Sequence, residues 1–229
     1  MIELRGNQLI LLDIEGTLSP LAFVHEVMFP YAREHAAAWL TAHWGHEVIT
    51  QLAHDAGVDS FLDPHDAEAA VHRLMDADAK VTGLKQLQGL IWEQGFRSGD
   101  LRSTLFDDVV PALDHWRELG YSVRIYSSGS IHAQRLFFAH TTAGDLTPGF
   151  TGYYDTTTGS KKEAASYSAI AADCGIPASE ILFISDLVDE LDAAQTAGMN
   201  TALALRPGNR PQPESGHTAI TSFSEISFL

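Results

Sequence analysis

Four short, nearly continuous apolar runs, each cut off by an acid, a serine or a glycine, set the tightest limit on what this chain can fold into. They are QLILLDIEG (8–16), YSVRIYSSG (121–129), EILFISD (180–186) and NTALALRPG (200–208). A strand open to water on one face alternates apolar with polar residues, whereas a run without alternation belongs to a strand covered on both faces, as in a parallel sheet. Helical patterning fills 107–119, 131–140, 162–174 and 188–197, and three of these stretches stop at Gly120, Gly175 and Gly198, residues suited to the left-handed turn that closes a helix. Strand and helix in alternation predict a doubly wound, Rossmann-like α/β core with a parallel sheet.

Between the first run and the second lie more than a hundred residues, although a βαβ crossover needs only about 30. The intervening stretch is rich in Ala, Leu, His and acids, with amphipathic pieces around 32–44, 48–56, 66–79 and 83–94. An all-helical insert is expected at 21–99, with 1–20 and 100–229 forming the α/β core. The tail after Leu205 opens Pro- and Gly-rich and closes on a short edge strand over 218–223.

Thirty acids against fourteen bases give a formal net charge of -16, a sign that opposes attraction to nucleic acid phosphates and anionic lipid. Neither is expected as a partner. Cys174 is the single cysteine, so no internal disulfide can form, and it has no basic neighbour in sequence to activate it. The N-terminus carries no signal-peptide pattern, and no stretch approaches the ~18 apolar residues of a membrane span. A cytoplasmic protein is expected.

Asp13 stands where the first buried run gives out, with Glu15 two residues on, so both carboxylates emerge at the carboxyl end of a strand. Open α/β sheets bind ligands there, although a lone D-x-E also suits a strand-ending turn. The second run delivers Ser127, Ser128 and Gly129 to the same edge, just ahead of a helix. Such a helix start suits a phosphate, or is an ordinary N-cap. Lys161 opens the next predicted helix, where a cation opposes the helix dipole and an anion nearby would explain it; an exposed lysine there costs little. Asp186 ends the third run in the layer of Asp13, and two buried-edge carboxylates repel unless a cation lies between them. Hard oxygen donors point to magnesium. Asp189, Glu190 and Asp192 follow at once, read as acids favoured by the helix dipole. The histidine pairs His43/His46 and His132/His140 lack the spacing and partner acids of a zinc site, and Trp39, Trp44, Trp92 and Trp116 read as packing residues.

In this order, D-x-E-G-T, strand-Ser-Ser-Gly, Gly-x-Lys and strand-Ser-Asp resemble the four motifs of the haloacid dehalogenase superfamily, over roughly residues 5–20 and 100–210. That resemblance implies Asp13 as the nucleophile that forms an aspartyl-phosphate, Ser127, Ser128 and Lys161 as holders of the phosphoryl group, and Asp186 as a magnesium ligand with Asp13 and Glu15, one ion per subunit. Most phosphatases of the superfamily carry Asp where this chain has Glu15. The stretch DIEGTLSPLAFVHEVMFPYA, together with LQGLIWEQGF, YSSGS and RPGNRP, is similar to the enolase-phosphatase (acireductone synthase) family of methionine salvage, with Ser19 a small variation on the family's TTP-like stretch. The implied reaction converts 2,3-diketo-5-methylthiopentyl-1-phosphate to the acireductone 1,2-dihydroxy-3-keto-5-methylthiopentene and phosphate by enolisation and then phosphate removal, in a monomer. Glu15, one methylene longer than Asp, either turns its carboxyl away from the leaving oxygen or binds the metal by its main-chain carbonyl while serving proton transfer. Two other readings share the scaffold. Another capped phosphatase, acting on phosphoglycolate or a sugar phosphate, would carry every core motif, and Glu15 and FPYA speak against it. A catalytically silent binding protein is opposed by the joint presence of Asp13, Lys161 and Asp186.

Overall fold

The computed structural model describes residues 2–4 and 9–228; Gln8, which opens the first predicted strand, lies outside them. Tertiary contacts divide the chain into two compact units, Met1–Phe23 with Arg102–Leu229, and Val24–Leu101.

The first unit is built on a six-stranded, all-parallel sheet. Its strands are β2 (Leu9–Leu12), β3 (Ser122–Tyr126), β4 (Gly152–Tyr154), β5 (Ile181–Ser185), β6 (Asn200–Ala204) and β7 (Thr218–Ile220), in the order β4-β3-β2-β5-β6-β7. Every residue of β2 and β5 is buried, as unalternating apolar runs require. The helices α5 (Val109–Glu118), α6 (Ile131–Ala139), α7 (Ala164–Cys174) and α8 (Val188–Thr196) connect the strands, giving the doubly wound α/β core. Because β3 and β5 flank β2 on opposite sides, the strand order reverses at β2, and the carboxyl end of β2 is the crevice where such sheets take ligands.

Three features had no signal in the sequence. β4 is a three-residue edge strand, and β1 (Ile2–Leu4) pairs in parallel with β8 (Ile226–Phe228) as a separate small sheet. A π-helical turn, Phe23–Met28, leads into the second unit. Three expectations are corrected. α7 starts at Ala164 rather than 162, because Glu163 is extended (φ -119°, ψ 127°) and the Lys162 N–H is taken by Ser160 Oγ. Lys161 therefore sits in a loop and opens no helix. The tail strand stops at Ile220, where Ser222 and Glu225 close a capping box on a short 3-10 turn. Trp44 is 43% exposed and packs in no core, unlike Trp39 and Trp116.

The second unit is helical: α1 (Phe29–Ala42), α2 (Glu47–Asp55), α3 (Pro64–Asp76) and α4 (Thr82–Ser98). Its core gathers Ala32, Ala36, Leu40, Leu52, Val71 and Leu87, small residues on α1 letting the helices approach. Asp63 caps α3 by accepting from the His65 and Asp66 N–H groups, with Pro64 at the first helical position. No helix among the described residues is long and apolar enough to cross a membrane.

Candidate active site

Register brings the sequence-marked residues to one edge. Leu12 of β2 pairs with Ile125 of β3 and Ile184 of β5, and the Asp13 N–H extends the ladder by donating to the Ile184 carbonyl at 3.0 Å. Asp13 therefore leaves the sheet one residue past β2, with Ser127 and Asp186 a step further along the two neighbouring strands.

Asp13 is buried, 6% exposed. The chain after it turns sharply: the N–H groups of Thr17, Leu18 and Ser19 all donate to the Ile14 carbonyl, and Gly16 holds φ +75°. A side chain at Gly16 would be strained by that φ, and its Cβ would stand 2.4 Å from Asp186 Oδ2. The turn returns Thr17 over the nucleophile candidate, its hydroxyl donating to Asp13 Oδ2 at 3.4 Å.

Lys161 supplies the other oxygen of Asp13 with a partner. Its Nζ lies 2.5 Å from Asp13 Oδ1 and 2.7 Å from Glu190 Oε2, and it is almost wholly buried. Three hydroxyls pin its loop: Tyr126 donates to the Gly159 carbonyl, Ser166 to that of Ser160 and Tyr167 to that of Lys161. Burial opposes the ammonium charge, but the Asp13 and Glu190 carboxylates outweigh it and hold the lysine above its usual range.

Glu190 is the site residue that sequence reasoning missed. The helix dipole explains any acid in a first turn, and it does explain Asp189, an exposed carboxylate paired with Lys162 at 2.7 Å. Glu190 instead turns inward, 6% exposed, and accepts from Ser185 Oγ at 2.8 Å. The available signal was its place four residues after Asp186, one helical turn past the strand end.

Asp186 is buried, and its carboxyl is pushed up to about 7 by that burial, then by the charges of Asp13 and Glu190. Glu15 is exposed at the loop's rim. The protein crowded around the loop, and next the Asp13 charge, lift its carboxyl above the ordinary glutamate range; with the side chain open to water, the Asp13 charge is the cause that persists. Ser127 is buried, its hydroxyl accepting from the Gly129 N–H at 3.3 Å, and Ser128 is exposed. Capping of α6 falls to Ser130, which accepts from the Ala133 N–H, so neither Ser127 nor Ser128 is needed for it.

Fully ionised, Asp13, Asp186 and Glu190 against the ammonium of Lys161 would leave two negative charges in a buried space, and a divalent cation would both favour that ionised state and neutralise it. Asn209 Oδ1, buried and without a hydrogen-bond partner, faces the same side of Gly16 as Asp186 Oδ2. Two oxygen acceptors with no donor between them suit a hard cation or the waters it carries. Among the described residues no three His, Cys, Asp or Glu side chains converge as a metal cage, so a cation here would take carboxylates together with backbone oxygen and water. Cys174 does have a basic group close by: its Sγ is 3.2 Å from Tyr154 Oη, which also meets Arg124.

A parallel sheet with an aspartate at its switch point, a buried lysine on that aspartate and an acid on the next strand define a haloacid dehalogenase-like hydrolase, and the model of that family matches residues 8–198. Among curated relatives, the enolase-phosphatase E1 of Synechococcus elongatus is 45% identical, the match covering 95% of this chain and 96% of that protein. The enolase-phosphatase E1 of Methylococcus capsulatus is 49% identical over 87% of this chain and 89% of its own length. The crystal structure of the UTR4 protein of Saccharomyces cerevisiae superposes with a TM-score of 0.82 at 35% identity, covering 96% of this chain and 99% of that one. CbbY of Rhodobacter sphaeroides, solved with phosphate, reaches 0.63 at 14% identity and shares the fold. The chain belongs to the enolase-phosphatase family of the haloacid dehalogenase-like hydrolases.

Proposed function

We propose that this protein is a magnesium-dependent enolase-phosphatase of methionine salvage, which converts 2,3-diketo-5-methylthiopentyl-1-phosphate to the acireductone and phosphate. The observation that carries the reading is Asp13 at the sheet's switch point with Lys161 on its carboxylate, in a chain that matches curated enolase-phosphatases over most of its length.

Asp13 is the nucleophile: one carboxylate oxygen bonds the phosphorus as the ester bond to the leaving oxygen breaks, and water then cleaves the aspartyl-phosphate. Lys161, held charged by two carboxylates, faces the transferring oxygens and offsets their charge. Ser127 and Ser128 hold the phosphoryl group from the end of β3. Glu15, at the rim with its proton affinity raised, is the proton-transfer group. Magnesium, taken by the carboxylates of Asp13 and Asp186 and the main-chain carbonyl of Glu15, would screen nucleophile from phosphate and polarise the diketone. The helical unit 24–101 is the cap inserted after the first core strand. The enzyme is a cytoplasmic monomer whose partner is a phosphorylated small molecule.

Incubating the protein with the diketone phosphate, with and without magnesium, tests this. Ultraviolet absorbance should report the enol product and a phosphate assay its release, both only with the metal. Phosphate released from phosphoglycolate or sugar phosphates but not from the diketone phosphate would move the protein to another branch of the same hydrolases.

A further inference from the structure

Apart from Asn209 Oδ1, which faces the candidate cation site, the RPGN stretch carries no role in the chemistry above, yet it touches the nucleophile loop twice. The chain leaves β6 at Ala204 and turns through Arg206-Pro207-Gly208-Asn209, the Asn209 N–H donating to the Arg206 carbonyl at 3.1 Å with Gly208 at φ +84°. Proline second and a left-handed residue third make a type II turn, which sets its first and fourth side chains beside each other. Arg206 Nε donates to the Thr17 carbonyl at 3.1 Å, and Asn209 Nδ2 donates to the Gly16 carbonyl at 2.8 Å and to that of Ala204 at 3.1 Å.

We propose that Arg206 and Asn209 are positioning residues that grip successive carbonyls of the 13–19 loop and so hold Asp13 in its attacking place, a role that rests on the reading of Asp13 as nucleophile. Inside the loop the Ile14 carbonyl takes the Thr17, Leu18 and Ser19 N–H groups and the Ser19 carbonyl takes that of Gly16, so the peptides after Gly16 and Thr17 are tied at their N–H ends while their carbonyls still need a donor. The grip supplies that from outside. Arg206 is itself immobile: Nη1 donates to Asp108 Oδ2 at 2.8 Å and to the Thr221 carbonyl at 2.9 Å, and the guanidinium stacks between Phe106 and Phe223, 4.9 and 4.4 Å from their ring centroids. Asn209 is anchored on Ala204, at the end of a strand of the same sheet. The grip reaches the reacting atom through Thr17, whose hydroxyl meets Asp13 Oδ2 while Lys161 meets Oδ1. A loop free to rock would leave the carboxylate oriented by the lysine alone, and a misplacement of ~1 Å costs on the order of 100-fold in rate.

The test uses the full chain and three variants, Asn209→Ala, Pro207→Gly and Arg206→Lys. Asn209 is half-buried and Pro207 exposed, so both changes spare the core; Arg206→Lys keeps a cation by Asp108 but has no Nε–H for Thr17. In Asn209→Ala and Arg206→Lys, kcat for the diketone phosphate should fall about 10- to 100-fold with KM within about threefold, since no phosphate-holding residue is touched. Pro207→Gly, which loosens the turn without removing a donor, should fall in the same direction by less. Amide hydrogen exchange over 15–19, measured without metal or substrate, should quicken in all three while β2 and β5 keep their protection. Wild-type kcat in Asn209→Ala, or a loss of kcat that comes with faster exchange throughout β5 and β6, overturns the positioning role. If the unaltered chain does not turn over the diketone phosphate, the functional reading fails separately. Exchange over 15–19 then decides alone: quickened, the grip stands; unchanged in Asn209→Ala, it falls.

Discussion

Lys161 Nζ bridges Asp13 Oδ1 and Glu190 Oε2, at 2.5 and 2.7 Å, with all three side chains less than a tenth exposed. One ammonium thus serves two buried carboxylates, and removing it strands both. Lys161→Ala should cost about 3–5 kcal/mol of stability, the range for uncovering a buried charge. Urea unfolding in chelator measures it. Adding Glu190→Gln should restore part of the loss by deleting one stranded charge, and a double variant no more stable than Lys161→Ala would show that the bridge to Glu190 contributes nothing.

Asp13→Asn should fold as the wild type does, because an amide fills the same space and Lys161 keeps Glu190. It should release no phosphate, since an amide oxygen is a poor nucleophile. The check is a phosphate assay beside a circular dichroism spectrum, and phosphate release from the folded variant above a thousandth of the wild-type rate would end the aspartyl-phosphate mechanism.

The sheet was legible because β2 and β5 are covered on both faces, so every residue in them but Ser185 is apolar. β4 was not: Gly152, Tyr153 and Tyr154 form an edge three residues long, too short for any period to show. The start of α7 was misplaced because Lys162, Glu163 and Ala164 all favour helix, while the Ser160 hydroxyl that takes the Lys162 N–H is a local competitor no propensity reveals. At the site, the residues leaving strand ends were visible from chain position alone. Glu190, Arg206 and Asn209 were not, since a first-turn acid and a Pro-Gly turn each have an ordinary explanation, and only packing shows that one points inward and the other grips a loop.

Magnesium dependence can be checked against backbone geometry. Chelation should abolish turnover and added magnesium restore it. Asp186→Ala should weaken magnesium binding in calorimetry at least tenfold. Gly16→Ala should do the same without removing a carboxylate, because its Cβ would stand 2.4 Å from Asp186 Oδ2 and force that oxygen to shift. Full turnover in excess chelator would remove the metal from the mechanism.

Asp108 links the acid stability of the fold to Arg206. Burial raises its carboxyl, but the Arg206 hydrogen bond, the Phe223 N–H and the Ser222 hydroxyl overcome that and hold it below its ordinary value of 3.8. A depressed folded value stabilises above the unfolded one, and the gain is lost as pH falls through the folded one. Asp108→Asn should therefore cost about 1–3 kcal/mol, the scale of a charge-assisted hydrogen bond, evenly from pH 5 to 8. Below about pH 4 the gap between variant and wild type should close. Denaturant unfolding across that range measures it, and a gap that widens on acidification would contradict the sign.

Under the proposed function, Glu15 stands where the motif resemblance sets an aspartate in most phosphatases of the superfamily. Its exposure at the rim, beside the buried Asp13, means that its reach is set by side-chain length and not by packing. Shortening it by one methylene should cost little stability and much chemistry. A positioned proton-transfer group contributes ~100- to 10,000-fold, and a misplacement of about 1 Å forfeits much of that. Glu15→Asp should thus impair the diketone-phosphate reaction severely while magnesium binding and the unfolding midpoint hold. Glu15→Gln, which keeps the length and cannot carry the proton, should be as damaged or worse. Enol formation and phosphate release need separate measurement: a group that serves both steps will slow both, whereas one that protonates only the leaving oxygen will leave the enol to accumulate as its phosphate ester. If Glu15→Asp runs both steps at the wild-type rate, the extra methylene is a neutral difference, and substrate choice must be carried elsewhere in the chain.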